Sequence, residues 1–343
     1  MIQRLLRGRM LYLLLAVATP AAYLWAKGQP TRILTQTSSE VISEAFARTP
    51  DLASLEANFW KHPDLAFASL LSAFVLLSML VISALISARA LAKGSWRTFF
   101  VFPNALPSSF SIGELWRMIA LSASLLFWLP VLRLGIEKLF LAARISVNAW
   151  LLGTTLFIDA FVIAVVLAFA AGKTFAPRQL FGLWPQRPKE AFRIAYRSYL
   201  GLFPWIFVVL FVISGIVHYL GYEPPVPPIQ RMMKEDQGSF QTLMVLLACV
   251  IGPIAEEIFF RGVVFASLRR HLPIFWAIAG SAGLFALLHG NWIGLLPIMI
   301  LGGLLAYLYE RTGTLTVPIV VHIFHNSFQL WNVMLFNRLL QLS

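Results

Sequence analysis

The sequence predicts an all-α fold, a polytopic transmembrane helical bundle of about eight to nine spans. Three observations carry this. Apolar residues make up 59% of the chain and charged residues only 12%, where a soluble domain carries about 25%. The mean hydropathy is +0.77. The apolar residues also gather into runs approaching the ~20 residues that a helix needs to cross a bilayer. A length of 343 residues would suit one or two soluble domains; with a lipid-facing exterior it suits a single bundle.

The runs fall near residues 10–26, 65–88, 118–134, 151–171, 198–221, 241–260, 273–290, 292–309 and 314–336. The first follows Arg4, Arg7 and Arg9, as a signal peptide would, but reaches Lys27 without a small-x-small cleavage site, and so predicts an uncleaved helix. A hydrophilic insert at 27–64 carries Glu40, Glu44, Asp51, Glu56 and Asp64. Its 42–60 stretch suits either an amphipathic helix against the bundle or a plain connection. Pro- and Gly-rich punctuation such as Tyr222–Pro228 separates later runs, and no internal repeat is evident. Two regions result: an N-terminal membrane region, 1–150, with three spans and the insert, and a membrane-embedded core, 151–343.

Charge sets an orientation. Arg4, Arg7 and Arg9 begin the chain; Arg89, Lys93 and Arg97 follow the second run; Lys173, Arg178, Arg187, Lys189, Arg193 and Arg197 fill the loop after the fourth; Arg269 and Arg270 follow the sixth. If every run spans, all four places share one side, which the positive-inside rule makes cytoplasmic, with the N-terminus. Arg133, Lys138 and Arg144 in the 133–150 connection fall on the other side, against that rule. The net charge of +12 is therefore juxtamembrane and does not indicate nucleic acid. The single cysteine, Cys249, excludes an intrachain disulfide and a cysteine-based metal site.

An ionisable group in hydrocarbon costs at least ~2.5–3.5 kcal/mol, so each one within a span needs a partner or a task. Most of them gather late in the chain: Glu256, Glu257 and Arg261 in the sixth run, His289 ending the seventh, and His322, His325 and Asn326 in the ninth. Glu257 and Arg261 stand four apart, in the favourable order for a pair on one helix face. Glu256 points about 100° away and has no intrahelical partner, which suits a general acid or base. His322 and Asn326 share a face, and His325, displaced by three, either shares that face or flanks it. Any one of these groups alone is ordinary for a helix; three in successive apolar segments indicate a site. Asp159, mid-run, suits a structural hydrogen bond as well as a function. His218 reads as interfacial, and His62 and His271 as solvated. Trp116, Trp150 and Trp292 fit an aromatic belt, and Gly280, Gly302 and Gly303 fit close helix packing.

Glu256-Glu257-Ile-Phe-Phe-Arg261 resembles the EExxxR motif of the CAAX-prenyl-protease and bacteriocin-processing (CPBP, or Abi) family of intramembrane proteases. Phe285-Ala-Leu-Leu-His289 resembles its FxxxH motif, and His322-Ile-Phe-His-Asn326 its HxxxN/D motif; the resemblance covers roughly 180–336. It implies a glutamate peptidase without an organic cofactor. Glu256 would activate water with His289, Glu257 and Arg261 would fix the geometry, and His322 and Asn326 would stabilise the oxyanion. His325 has no counterpart in the motifs. The implied partners are the bilayer and a membrane-associated protein or peptide substrate, and the implied location is a prokaryotic plasma (inner) membrane. Three rivals stand beside this: a divalent-metal mechanism using the same carboxylates and histidines, a non-catalytic scaffold or immunity protein, and a proton-coupled transporter.

Overall fold

The computed structural model describes residues 6, 8–27, 59–94, 110–143, 147–171, 173, 182–183, 188–221 and 239–341, and no strand occurs among them. Most of the 27–64 insert, with Glu40, Glu44, Asp51 and Glu56, lies outside the described residues, as do Arg144 and Tyr222–Pro228; of His218 no side chain is described.

Each predicted run is helical. They become α1 (Arg9–Lys27), α2 (Pro63–Ala92), α3 (Ile112–Ala143), α4 (Val147–Ala170) and α5 (Pro188–Tyr219). Then come α6 (Ser239–Leu246), α7 (Gly252–Phe259) and α8 (Ala266–Arg269), followed by α9 (Ile274–Leu288), α10 (Leu295–Thr312) and α11 (Thr316–Gln341). Two π-helical stretches, Leu247–Ile251 and Phe260–Phe265, link α6, α7 and α8 into one continuous rod.

Local chemistry sets the ends. Pro63 occupies the first turn of α2, where its missing N–H costs nothing. Ser111 and Glu114 form a reciprocal capping box at the start of α3: the Glu114 N–H donates to Ser111 Oγ, and the Ser111 N–H to Glu114 Oε2. Gly313, at φ +67°, stops α10 in the left-handed region open to glycine. Two connections read from sequence are in fact helix. Residues 133–143 continue α3, and residues 188–197 open α5, because Pro188 starts a helix and Ala191, Ala195 and Tyr199 make an apolar i, i+4 stripe.

Among the described residues, six helices are long and apolar enough to cross a membrane: Pro63–Arg89, Ile112–Leu129, Asn148–Ala170, Pro188–Val217, Phe240–Arg269 and Leu295–Thr312. Arg9–Ala21 and Ile274–Leu288 are apolar but shorter. With the two shorter apolar helices, these are consistent with a polytopic bundle; α11 is also long, but it carries His322, His325, Asn326 and Gln329. The chain is a polytopic helical membrane protein.

Packing sorts the helices into two compact units that interleave along the chain: α1, α3 and α4 form one, and α2 with α5 to α11 forms the other. The sequence division at residue 150 instead placed α2 with the first region and α4 with the second. In the first unit α1 and α3 run parallel, since Tyr12 meets Arg117 while Trp128 Nε1 donates to Thr19 Oγ1 (3.3 Å). In the second unit, α5 (Tyr199, Phe203), α10 (Leu301, Leu305) and α11 (Val317, Val321) share a buried core, flanked by Leu76 and Leu80 of α2.

Candidate active site

The helix carrying Glu256 and Glu257 is bounded by the two π stretches, and this determines how neighbours attach. A π turn carries an extra residue and breaks the regular i→i−4 ladder, so its carbonyls are available to other donors. Asn326 of α11 donates from Nδ2 to the carbonyl of Ala248 in the first stretch (2.9 Å). Ser281 of α9 donates from Oγ to the carbonyl of Phe260 at the head of the second (3.1 Å). Each irregularity is therefore tied to a different packed helix.

Between them lies the charged cluster. Arg261 and Glu257 are wholly buried and paired at 2.9 Å, as their i, i+4 spacing requires. Arg261 also donates from Nη2 to the Gly302 carbonyl of α10 (3.1 Å), and its guanidinium carbon stands 4.5 Å from the Phe285 ring centroid. The same Oε1 of Glu257 meets Nδ1 of buried His322 at 2.9 Å. A carboxylate oxygen accepts, so Nδ1 carries the proton and Nε2 is left to face outward. Nε2 lies 3.6 Å from Oε2 of Glu256, whose side chain is 33% exposed. One glutamate is thus sealed in and the other open, with a histidine between them.

Asn326, half-buried, has one of its two Nδ2 protons engaged by Ala248. His289 stands apart from the hydrogen-bonded group. It follows the last turn of α9, is exposed, and shares its Nδ1 with the Phe285 carbonyl (2.7 Å). The Phe285 ring connects it inward, with centroids 4.5 Å from His289 and 5.7 Å from His322. The aromatic position of the FxxxH motif is thereby accounted for: Phe285 contacts Arg261 and both histidines. His325 is buried outside this group, between Tyr199 Oη (3.4 Å) and Gln329 Nε2 (2.8 Å). Among the described residues no group of three His, Cys, Asp or Glu is placed to hold a metal ion. Asp159 belongs to the other unit.

Residues 238–328 match the family described as type II CAAX prenyl endopeptidase, Rce1-like. The matched segment contains all three motifs, and it is shorter at both ends than the 180–336 region suggested by resemblance. The Bacillus subtilis (strain 168) protein named "Putative membrane peptidase YdiL" is 31% identical over 153 residues, covering 41% of this chain and 61% of that protein. The Staphylococcus aureus (strain USA300) protein named "Membrane-embedded CAAX protease MroQ" is 29% identical over 92 residues, 25% of this chain and 37% of that protein. The chain thus spans less than two thirds of either relative. No solved structure matches it.

Two features of the matched segment escaped sequence reasoning. Glu310, fully buried, pairs with Arg269 at 3.0 Å and ties the end of α8 to α10. It lies one residue beyond the predicted 292–309 run, and its nearest charge in sequence, Arg311, hid the longer-range pair. The acceptor carbonyls of Ala248 and Gly302 are backbone groups, which no side-chain motif announces.

Proposed function

We propose that the chain is an intramembrane endopeptidase that hydrolyses a peptide bond of a membrane-associated protein or peptide with a glutamate-activated water. One observation carries the proposal. Sealed Glu257 holds His322 by Nδ1 and aims Nε2 toward the open carboxylate of Glu256. In this scheme Glu256 takes a proton from water as the oxygen adds to the scissile carbonyl carbon. The carbonyl π electrons move to oxygen. Collapse of the tetrahedral species breaks the C–N bond, and Glu256 returns the proton to the leaving amine. One water is consumed, and one carboxylic acid and one amine are formed.

The developing oxyanion needs preorganised donors, each worth about 2.7–4 kcal/mol. The second Nδ2 proton of Asn326, and Nε2 of His322 when protonated, are the proposed donors. Exposed His289 would help hold the water. Glu257 and Arg261 act through His322 and the helix geometry, as positioning residues. The family match and the relatives' names support a membrane peptidase; glutamate chemistry rests on the arrangement of Glu256, Glu257 and His322.

The test is to profile protein termini in membranes holding wild type or Glu256→Gln, then assay the identified substrate in liposomes with chelator titration. Loss of cleavage in a folded Glu256→Gln variant is expected. Full activity would eliminate Glu256 as the base. Loss on chelation with stoichiometric rescue by a divalent ion would replace the glutamate with a metal-bound hydroxide.

A further inference from the structure

The first unit carries a feature with no part in this chemistry. A groove of about 500 Å³ opens between the starts of α1 and α3. Its wall is mostly apolar and is formed by two arginines, Arg9 and Arg117, with Tyr12, Leu13, Trp116 and Ala120. Among the described residues neither arginine has a carboxylate partner. Glu114, one turn before Arg117, is already committed to Lys173 at 2.7 Å and to the Ser111 cap. Arg117 instead lies 5.9 Å from the Tyr12 ring centroid, and both residues line the groove. Trp116 (64% exposed) and Leu13 (61% exposed) show apolar surface on the same groove.

The ends that meet here share one membrane level. Arg9 and Arg117 open parallel helices, and Lys173, just past the end of α4, returns to Glu114 at the start of α3. Among the described residues, that end carries Arg9, Arg117 and Lys173 against Glu114. It is also the end that the positive-inside rule places in the cytoplasmic leaflet, where anionic lipids concentrate. Arginines with no carboxylate partner among the described residues, beside an apolar trough walled in part by Trp116 and Tyr12, match a phosphate headgroup on an acyl chain.

We propose that the α1–α3 groove binds an anionic phospholipid of the cytoplasmic leaflet, its phosphate between Arg9 and Arg117 and one acyl chain along Leu13 and Ala120. The bound lipid joins α1 to α3 and so stabilises the first unit by mass action.

The experiment uses the full chain in detergent, exchanged with palmitoyl-oleoyl phosphatidylglycerol or phosphatidylcholine. It reads retained lipid by native mass spectrometry and the shift in Tm. Phosphatidylglycerol should be retained preferentially and should raise Tm. Arg9→Gln and Arg117→Gln should each lower its retention about fivefold, equivalent to about 1 kcal/mol per basic residue. Gly113 also lines the groove, and a Cβ added there meets nothing within 4 Å, so Gly113→Leu adds apolar bulk to the trough from an open position and without a charge change. It should lower retention with both arginines intact. Equal retention of the two lipids, unchanged preference in Arg9→Gln/Arg117→Gln, or equal stabilisation by inorganic phosphate alone would overturn the proposal.

Discussion

Glu257 is held by two partners at once, Arg261 and His322, with all three side chains out of reach of solvent. Removing one member leaves the others buried without a partner, at a cost of about 3–5 kcal/mol. Glu257→Gln should therefore lower thermal stability as well as activity, whereas Glu256→Gln, at a partly exposed position, should leave stability near wild type. Melting curves of the two purified variants, run beside the cleavage assay, separate them. A Glu257→Gln protein as stable as wild type would show that the buried pair is not what holds these helices in register. The neighbouring residues were legible because helical spacing alone brings Glu257 to Arg261 and sets His322 with Asn326. What spacing could not reveal was that Glu257 and His322, 65 residues apart, bond directly, or that His289 remains exposed outside the hydrogen-bonded group.

At the scale of elements, the close approach of α9 and α10 depends on Gly302. A Cβ built there would stand 3.1 Å from Phe285 Cδ1 and 3.2 Å from Ala282 Cα. The first neighbour is the ring that packs on Arg261, and the second is backbone that cannot yield cheaply. Gly302→Ala should cost about 1–3 kcal/mol through overpacking. It should also displace the carbonyl that accepts from Arg261, so turnover falls together with Tm. Gly303→Ala is the control, since its Cβ would meet only Ile278 at an ordinary 3.7 Å. Equal behaviour of the two variants would refute the packing role of Gly302. The glycines were visible as a pair in the sequence, but which of them faces the neighbour depends on how α9 and α10 are rotated. The π stretches were likewise hidden. Asn326→Leu should cost about 1–3 kcal/mol by leaving the Ala248 carbonyl without its donor, measurable as lost stability even where no substrate is known.

For the whole molecule, the orientation inferred from loop charge gives a direct test. In a Cys249→Ala background, a cysteine at Lys189, exposed at the start of α5, should be labelled from the cytoplasmic side, and one at position 45 from the opposite side. Cytoplasm-only labelling at 45 would overturn the assignment of sides. The parallel run of α1 and α3 agrees with one intervening crossing by α2. The sequence by itself determined the membrane class, the position of every long helix and the identity of the polar group, because hydropathy over a span and i, i+4 spacing are local properties of the chain. It also indicated the family through three short motifs. Only the tertiary structure decided that α2 packs with the C-terminal helices while α4 joins α1 and α3, because apolar surfaces of similar composition carry no address for their partner. It alone decided which glutamate is sealed and which is open. Both lie on one helix turn, and burial is set by the helices that cover each face: α11 and α10 close over Glu257 through His322 and the Gly302–Arg261 contact, leaving Glu256 a third exposed.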